Sequence, residues 1–235
     1  MIDSEQVPFY MFLHIPKTAG TTLRSIVDQN LGAENVLTYY NQNSRQLLDN
    51  LDAHLKFKPN YRAIIGHFKF GLHQLIDRPS TYITFLRHPV ARTISQYKEH
   101  YVNHRYHLED ADGNILSLAG SVKNNPSLYA NYQTGFLIGD EVSDLSDVAN
   151  AELALKNLDS CFAVVGLVEY FDQSLALMSN LLKWQVDEIQ QLNVKDIEVE
   201  VTPDLIEEIE AINSSDLIIY EAIKSKLLEE FEITP

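Results

Sequence analysis

Short apolar runs alternate with amphipathic segments along the first half of the chain. The run at 9–14 is apolar and aromatic up to its last residue, and apolar side chains then recur at helical spacing between residues 23 and 31. Two more runs, RAIIG at 62–66 and TYITFL at 81–86, are each followed by polar residues. Near-continuous apolar runs of this length are typical of strands buried in a parallel sheet. The pattern therefore predicts strands that are followed by loops and helices.

The remainder of the chain continues this alternation. Pro89 stands where proline favours the start of a helix, and Pro203 opens a later one. Residues 103–125 are polar and without clear periodicity, so we expect an excursion or lid there. Alternating strands and helices predict an α/β fold with a central, mostly parallel sheet, in a single domain over 1–235. The other predicted elements are a strand at 162–168 and helices at 44–57, 90–102, 127–137, 149–158, 173–184, from 203 and at 214–231.

Composition and charge narrow the range of ligands. With 235 residues, of which 45% are hydrophobic, the chain can bury a sizeable core. Its net charge of −15 argues against nucleic acid and anionic membranes as partners. Residues 1–105 nevertheless carry 12 basic against 8 acidic side chains, whereas the rest of the chain carries 6 against 25. We therefore expect an anionic ligand in the N-terminal half and solvated helix faces in the acidic part at 185–235.

Cysteine content and hydropathy bear on the compartment. Cys161 is the single cysteine, which excludes an intrachain disulfide, and we expect it to be buried in the strand-like CFAVVG. The N-terminus carries acids rather than a basic region, and the apolar stretches are far shorter than the roughly 18 residues that a membrane span needs. These features predict a soluble, cytoplasmic protein without a membrane span; its oligomeric state is not readable from sequence.

The loop HIPKTAGTT lies between the first predicted strand and the first predicted helix. Gly20 permits backbone angles that turn amides toward an anion, the threonines supply hydroxyls, and Lys17 supplies a positive charge. A Walker A loop reads GxxxxGK[ST], whereas this loop lacks the first glycine and has its lysine before the turn. The loop predicts a phosphate site without implying a metal. On the residues alone, an ordinary strand-to-helix connection with threonine caps is the alternative.

Three predicted strands end in a residue that can bind an anion or move a proton. Lys17 follows the first strand, His67 follows RAIIG, and Arg87 follows TYITFL. Ligands of parallel α/β sheets bind where strands end and helices begin, because backbone N–H groups and helix dipoles converge there. The histidines form no pattern typical of metal ligands, so we expect no metal. The three ends together predict one anion-binding site.

Three segments, in family order, resemble the sulfotransferases. HIPKTAGTT resembles their 5′-phosphosulfate-binding loop, in the P-K-T-A-x-T form of the heparan sulfate 2-O-sulfotransferase-like branch and its bacterial relatives. RHPVARTIS resembles the R-[DH]-P-x-x-R-x-x-S element that binds a 3′-phosphate, and GHFKF resembles a G-H-x-x-F segment with a catalytic histidine. VVGLVEYFDQSLALM is a weaker, later match, so the resemblance covers roughly residues 9–184.

The resemblance implies a three-layer, P-loop-like fold and a donor, 3′-phosphoadenosine 5′-phosphosulfate (PAPS), used without a metal. His67 would act as general base on an acceptor hydroxyl, which this branch suggests is part of a carbohydrate. Lys17 would stabilise charge on the leaving phosphate as adenosine 3′,5′-bisphosphate is released. The residues expected to hold the donor are Lys17, Thr18, Ala19, Gly20, Thr21 and Thr22 at the phosphosulfate, and Arg87 and Ser95 at the 3′-phosphate.

Two other functions stay open on the sequence. A non-catalytic module that binds adenosine bisphosphate would keep the pocket without an acceptor. A P-loop kinase would need the Walker A order and a Mg²⁺-binding aspartate after a strand, and the sequence has neither. Lys69 and Arg92 are further candidate anion contacts, and Gly135 in NYQTGFL stands where several sulfotransferases have a basic residue.

Overall fold

The structure, a computed structural model, describes residues 8–40, 50–103, 108–110, 112–139, 146–185 and 197–233. Its centre is a five-stranded sheet in the order β2-β3-β1-β4-β5, and every pairing in it is parallel. The predicted α/β fold with a central parallel sheet is therefore confirmed. The strands are β1 Phe9–Leu13, β2 Val36–Tyr39, β3 Ala63–Gly66, β4 Ser80–Leu86 and β5 Phe162–Leu167.

Helices connect β1 to β2, β2 to β3 and β4 to β5, whereas residues 67–79 connect β3 to β4 with only a short 3-10 helix at Leu72–Leu75. Within the described residues the α-helices are α1 Gly20–Leu31, α2 Leu51–Phe57, α3 Pro89–Val102, α4 Leu118–Asn124, α5 Tyr132–Leu137, α6 Asp147–Cys161, α7 Phe171–Leu182, α8 Pro203–Ala211 and α9 Ser214–Glu230. No helix in this part of the chain is long and apolar enough to cross a membrane.

Alternate residues of β1 face two separate cores, because successive strand side chains point to opposite faces of a sheet. Phe9, Met11 and Leu13 pack in a cluster with residues of α2, α6 and α9. Tyr10 and Phe12 pack in a second cluster with residues of α1 and α7. Helices thus cover both faces of the sheet, which gives the three layers that the resemblance implied.

A third apolar cluster lies beside the sheet and joins α3, α4 and α8. It includes Leu108, Leu118 and Val122, which belong to the segment 103–125 that the sequence predicted as an aperiodic excursion. Part of that segment is therefore a packed helix, which escaped prediction because its seven residues offer too few apolar positions to show a period. Its role as a lid stays a prediction.

Three further predictions need correction. The helix expected at 127–137 is interrupted at Asn131, whose φ of 43° is left-handed, so α5 begins one residue later. The helix expected at 44–57 begins at Leu51, and residues 41–49 lie outside the described part. Cys161 ends α6 and is half-buried, rather than lying inside a strand. The strand β2 was not predicted, because four residues at an edge carry little pattern.

Candidate active site

The predicted ligand-binding residues meet at the carboxyl edge of the sheet. β1 pairs with β3 on one side and with β4 on the other, so the loops that follow these three strands are neighbours. His67 and Arg87 directly follow β3 and β4, and Lys17 is the fourth residue after β1. All three therefore lie in the loops that follow these strands, as the sequence predicted. The sheet order therefore brings two cationic side chains and a histidine to one place.

The loop between β1 and α1 has two non-glycine residues in the left-handed region, Lys17 with φ 75° and Ala19 with φ 64°. Such alternation turns successive backbone N–H groups to one side, as in anion-binding nests. The Thr18 hydroxyl donates to the Ile15 carbonyl at 2.8 Å, and the residue is only 1% exposed. This side chain shapes the loop, so of Thr18 only the backbone N–H is suited to a ligand, contrary to the prediction of a hydroxyl donor.

α1 begins at Gly20, and no side chain among the described residues caps its N-terminus. Its first N–H groups, which helices leave without intrahelical partners, therefore remain suited to an anion. Thr21 is exposed and Thr22 is half-buried on this first turn. The loop and the helix start together have the features of a phosphate cradle.

Gly20 is required by a close approach rather than by its backbone angles. A Cβ at this position would lie 1.8 Å from two atoms of the His14 imidazole. The ring of His14 is thus packed directly against the start of α1. The glycine of the loop and the histidine before it therefore form one packed unit.

Three aromatic rings form a cluster at the ends of β1, β2 and β3. The centroids of His14 and His67 are 4.7 Å apart, those of His67 and Tyr40 4.9 Å, and those of His14 and Tyr40 5.6 Å. The backbone of His67 is fixed by its N–H, which donates to the Tyr39 carbonyl at 2.7 Å. Within the described residues, His67 Nε2 is buried without a hydrogen-bond partner. That nitrogen is the unsatisfied polar atom expected of a group that serves a ligand.

Burial keeps both histidines neutral. It lowers the pKa of His14 to about 3, assisted by the nearby His67 and Lys17. Burial also lowers the pKa of His67, against an opposing effect of the Glu99 carboxylate. A histidine with a pKa below 6.5 is unprotonated at neutral pH and can accept a proton. The site therefore holds a neutral base beside its cations.

The two cationic residues, Lys17 and Arg87, contact each other. Arg87 Nη1 donates to the Lys17 carbonyl at 3.3 Å, and Arg87 Nε lies 4.0 Å from the Glu169 carboxylate. Burial lowers the pKa of Lys17, and Arg87 adds to that effect while Glu99 opposes it. Two partly desolvated cations that repel each other favour an anion between them. Arg87 Nε is buried without a hydrogen-bond partner among the described residues, and the Glu169 carboxylate is its ion-pair partner.

Ser95 lies on α3, about 9 Å along the helix axis from its first residue Pro89. It is half-buried, and Glu99 follows one turn later on the same face of the helix. Because the Glu99 carboxylate acts electrostatically on both Lys17 and His67, this face of α3 turns toward the site. Glu99 is thus close enough to influence the titration of both residues, and the role of Ser95 at the 3′-phosphate stays a prediction.

Arg92 does not reach a ligand, contrary to the expectation of a further anion contact. It is 0% exposed, and its guanidinium donates to Gln96 Oε1 at 3.1 Å and to the Tyr129 carbonyl at 3.2 Å. The same group lies 4.4 Å from the centroid of the Tyr132 ring. Arg92 is therefore an interior group that holds α3 against the segment before α5.

Two buried polar residues behind Arg87 were missed by sequence reasoning. Gln133 lies in NYQTGFL, where the sequence drew attention to Gly135 instead. Asp216 lies in the acidic part that we expected to be solvated, yet it is buried. In the sequence Asp216 follows two serines at the start of a helix, and this position does not distinguish a buried carboxylate from an exposed one.

The fold and site define a parallel α/β protein with cations and a neutral histidine around a nest-like loop. A family model, galactose-3-O-sulfotransferase, matches residues 2–233. The chain belongs to the galactose-3-O-sulfotransferase family. The predicted membership among sulfotransferases is confirmed at this level, whereas the comparisons do not support the narrower heparan sulfate 2-O branch.

Relatives agree with this family. Galactose-3-O-sulfotransferase 2 of Mus musculus is 24% identical over 220 residues, which are 83% of this chain and 55% of that protein. Galactose-3-O-sulfotransferase 3 of the same species is 26% identical over 196 residues, 76% of this chain and 45% of that protein. The chain thus spans about half the length of the curated relatives it matches.

A solved structure shares the fold. The crystal structure of a sulfotransferase from Alicyclobacillus acidocaldarius covers 92% of this chain and 95% of its own, with a TM-score of 0.52 and 17% identity. The similarity supports the arrangement of sheet and helices.

Proposed function

We propose that the protein is a sulfotransferase that moves the sulfuryl group of PAPS to a carbohydrate hydroxyl. Family membership supports the class of reaction. The observation that carries the proposal is the position of neutral His67 beside Lys17 and Arg87, at neighbouring strand ends. These three side chains are of the types needed to take a proton, to stabilise a leaving phosphate and to bind a second phosphate.

The residues present fit a donor with two anionic groups. The loop from Lys17 to Thr22 offers backbone N–H groups of a left-handed turn and of the start of α1 to the 5′-phosphosulfate. The planar guanidinium of Arg87 would bind the 3′-phosphate, and Ser95 would add its hydroxyl. Among the described residues, no group of three metal-ligating side chains accompanies them.

The protein's own groups would act as follows. His67 would take the proton of the acceptor hydroxyl at Nε2, a role worth roughly 100- to 10,000-fold in rate. Lys17 would stabilise the charge that grows on the phosphate oxygen, worth about 3 to 4 kcal/mol by comparison with other positioned donors. The donor supplies the sulfuryl group, which passes from its phosphate oxygen to the acceptor oxygen.

Donor binding is the first test. Calorimetry with adenosine 3′,5′-bisphosphate and with adenosine 5′-monophosphate should show tighter binding of the bisphosphate. Arg87→Ala should remove most of that preference, because the monophosphate lacks the 3′-phosphate. Lys17→Ala should weaken both nucleotides. Absence of nucleotide binding by the wild-type protein would reject the proposal.

The acceptor is proposed from the names of the relatives, which act at O3 of galactose. A galactoside with a free 3-hydroxyl should accept sulfate in the presence of PAPS, and its 3-deoxy analogue should not. A heparan-type acceptor provides the comparison for the 2-O branch. Sulfate on the heparan acceptor alone would favour that branch, and binding of donor without transfer to any acceptor would favour the non-catalytic module.

A further inference from the structure

Gln133 holds the main chain of Arg87 with both ends of its side-chain amide. The backbone N–H of Arg87 donates to Gln133 Oε1 at 2.9 Å, and Gln133 Nε2 donates to the Arg87 carbonyl at 2.9 Å. Gln133 lies in the first turn of α5 and is 2% exposed. One buried amide thus satisfies both backbone groups of the residue that follows β4, as a neighbouring strand would.

Asp216 in turn fixes Gln133. Its Oδ1 accepts from the Thr134 N–H at 2.7 Å and from the Thr134 hydroxyl at 2.6 Å. Its Oδ2 accepts from the Gln133 N–H at 3.1 Å and from Gln133 Nε2 at 3.4 Å. This carboxylate from α9, which is 1% exposed, therefore caps the start of α5 from another helix.

A buried carboxylate needs a nearby cation or full hydrogen bonding, and Asp216 has both. Burial lowers the pKa of Arg92, and the Asp216 carboxylate is the largest influence that opposes this lowering. The guanidinium of Arg92 therefore compensates the charge of Asp216 inside the protein. The arrangement connects α3, α5 and α9 behind the Arg87 main chain.

The guanidinium of Arg87 depends on this main chain for its direction. It is aligned by the Lys17 carbonyl at 3.3 Å and by Glu169 at 4.0 Å, so a rotation of the Arg87 backbone would displace the guanidinium from both. The next residue is held in the same manner, since the His88 N–H donates to Glu169 Oε1 at 3.0 Å. The side chains of Gln133 and Glu169 thus determine the position of Arg87 at the end of β4.

We propose that Gln133 and Asp216 are positioning residues for Arg87, which set its guanidinium for the terminal phosphate of the donor without touching the donor. The inference rests on the proposed function, because it takes Arg87 as the contact of the 3′-phosphate. It predicts that loss of Gln133 weakens binding of that phosphate in particular, whereas a purely structural role would weaken all nucleotide binding alike.

Gln133→Met tests this, because methionine keeps the length of the side chain and removes both hydrogen bonds to Arg87. Calorimetry should show a Kd for adenosine 3′,5′-bisphosphate that rises about tenfold, as expected for two lost hydrogen bonds, and a Kd for adenosine 5′-monophosphate that changes less than about twofold. Gln133→Leu also lacks both hydrogen-bonding groups and places no charge beside Asp216. It should give the same selective loss and serves if the methionine variant does not fold.

Asn35→Leu is the control, since Asn35 is a half-buried amide directly before β2, at the opposite end of the sheet from the site, and donates to the Leu31 carbonyl and to Glu34 rather than to Arg87 or its supporting residues. It should leave the ratio of the two Kd values unchanged. In an Arg87→Ala background, Gln133→Met should cause no further loss of bisphosphate affinity. Equal weakening of both nucleotides, or an unchanged ratio in a folded variant, would overturn the inference. A wild-type protein without preference for the bisphosphate would instead reject the proposed donor site, and the inference with it.

Discussion

The contact between Gly20 and His14 gives a residue-scale test of the loop. Glycine to alanine within a helix ordinarily stabilises by up to about 1 kcal/mol. At Gly20 we expect the opposite, a loss of about 1 to 3 kcal/mol in the free energy of unfolding, because the new Cβ would collide with the His14 ring. Urea unfolding measures the change.

The double variant His14→Ala/Gly20→Ala provides the control for this prediction. Removal of the ring makes room for the new methyl group, so the cost of Gly20→Ala should disappear in the His14→Ala background. An equal cost in both backgrounds would mean that the glycine is needed for another reason.

Glu99 allows a second test at this scale, through the titration of His67. Its carboxylate raises the pKa of His67 against the effect of burial. Glu99→Gln should therefore lower the pKa of His67 further and move the acid limb of activity to lower pH. Histidine-selective NMR titration measures this directly, with Glu152→Gln on the exposed face of α6 as the control. A pKa of His67 that rises or stays the same in Glu99→Gln would contradict the placement of Glu99 at the site.

At the scale of elements, Arg92 determines how α3 is held. Arg92→Lys removes its two forked hydrogen bonds and its stacking on Tyr132, so we expect a loss of about 2 to 4 kcal/mol in the free energy of unfolding. Arg24→Lys, at a partly exposed pair with Asp28 on α1, is the matched control and should cost less than about 1 kcal/mol. Similar costs for the two variants in urea unfolding would contradict the interior role of Arg92.

The apolar pattern of the sequence predicted the long buried elements and missed the short ones. β1, β3 and β4 were predicted because a strand buried on both faces is apolar at nearly every position. α4 and β2 were missed because each is too short to establish a period. Arg92 was taken for a ligand contact because a sequence gives the charge of an arginine but not the side of the helix that packs inward.

The sequence predicted those residues of the candidate site that lie in the loops after the strands. His67 and Arg87 are visible because a polar residue directly after an apolar run marks the edge of the sheet. Lys17 is visible because it lies in a loop with glycine and threonines between a strand and a helix. Gln133 and Asp216 were not visible, because they come from distant helices and meet Arg87 only through the folding of the whole chain. Supporting residues of this kind have no local pattern to predict them from.

At the scale of the whole molecule, the buried histidines link stability to pH. The folded protein keeps His14 neutral with a pKa of about 3, whereas the unfolded chain takes up a proton near 6.5. Stability is therefore lost as pH falls below 6.5, by about 1.4 kcal/mol per pH unit for this group. Between pH 6.5 and 5, urea unfolding should show a decline of about 2 kcal/mol from His14, with His67 adding in the same direction. His14→Gln should flatten the decline, and equal slopes in the wild-type protein and the variant would contradict the lowered pKa of His14.

The proposed transfer of a sulfuryl group with His67 as base can be measured with sulfur-labelled PAPS and a galactoside, using the wild-type protein and His67→Ala. We expect labelled galactoside and an equal amount of adenosine 3′,5′-bisphosphate from the wild-type protein. Transfer by His67→Ala should be at least about 100-fold slower, with bisphosphate binding retained. Labelled product formed equally fast by His67→Ala, or none formed by a wild-type protein that binds the donor, would contradict the proposed role of His67 or the proposed transfer.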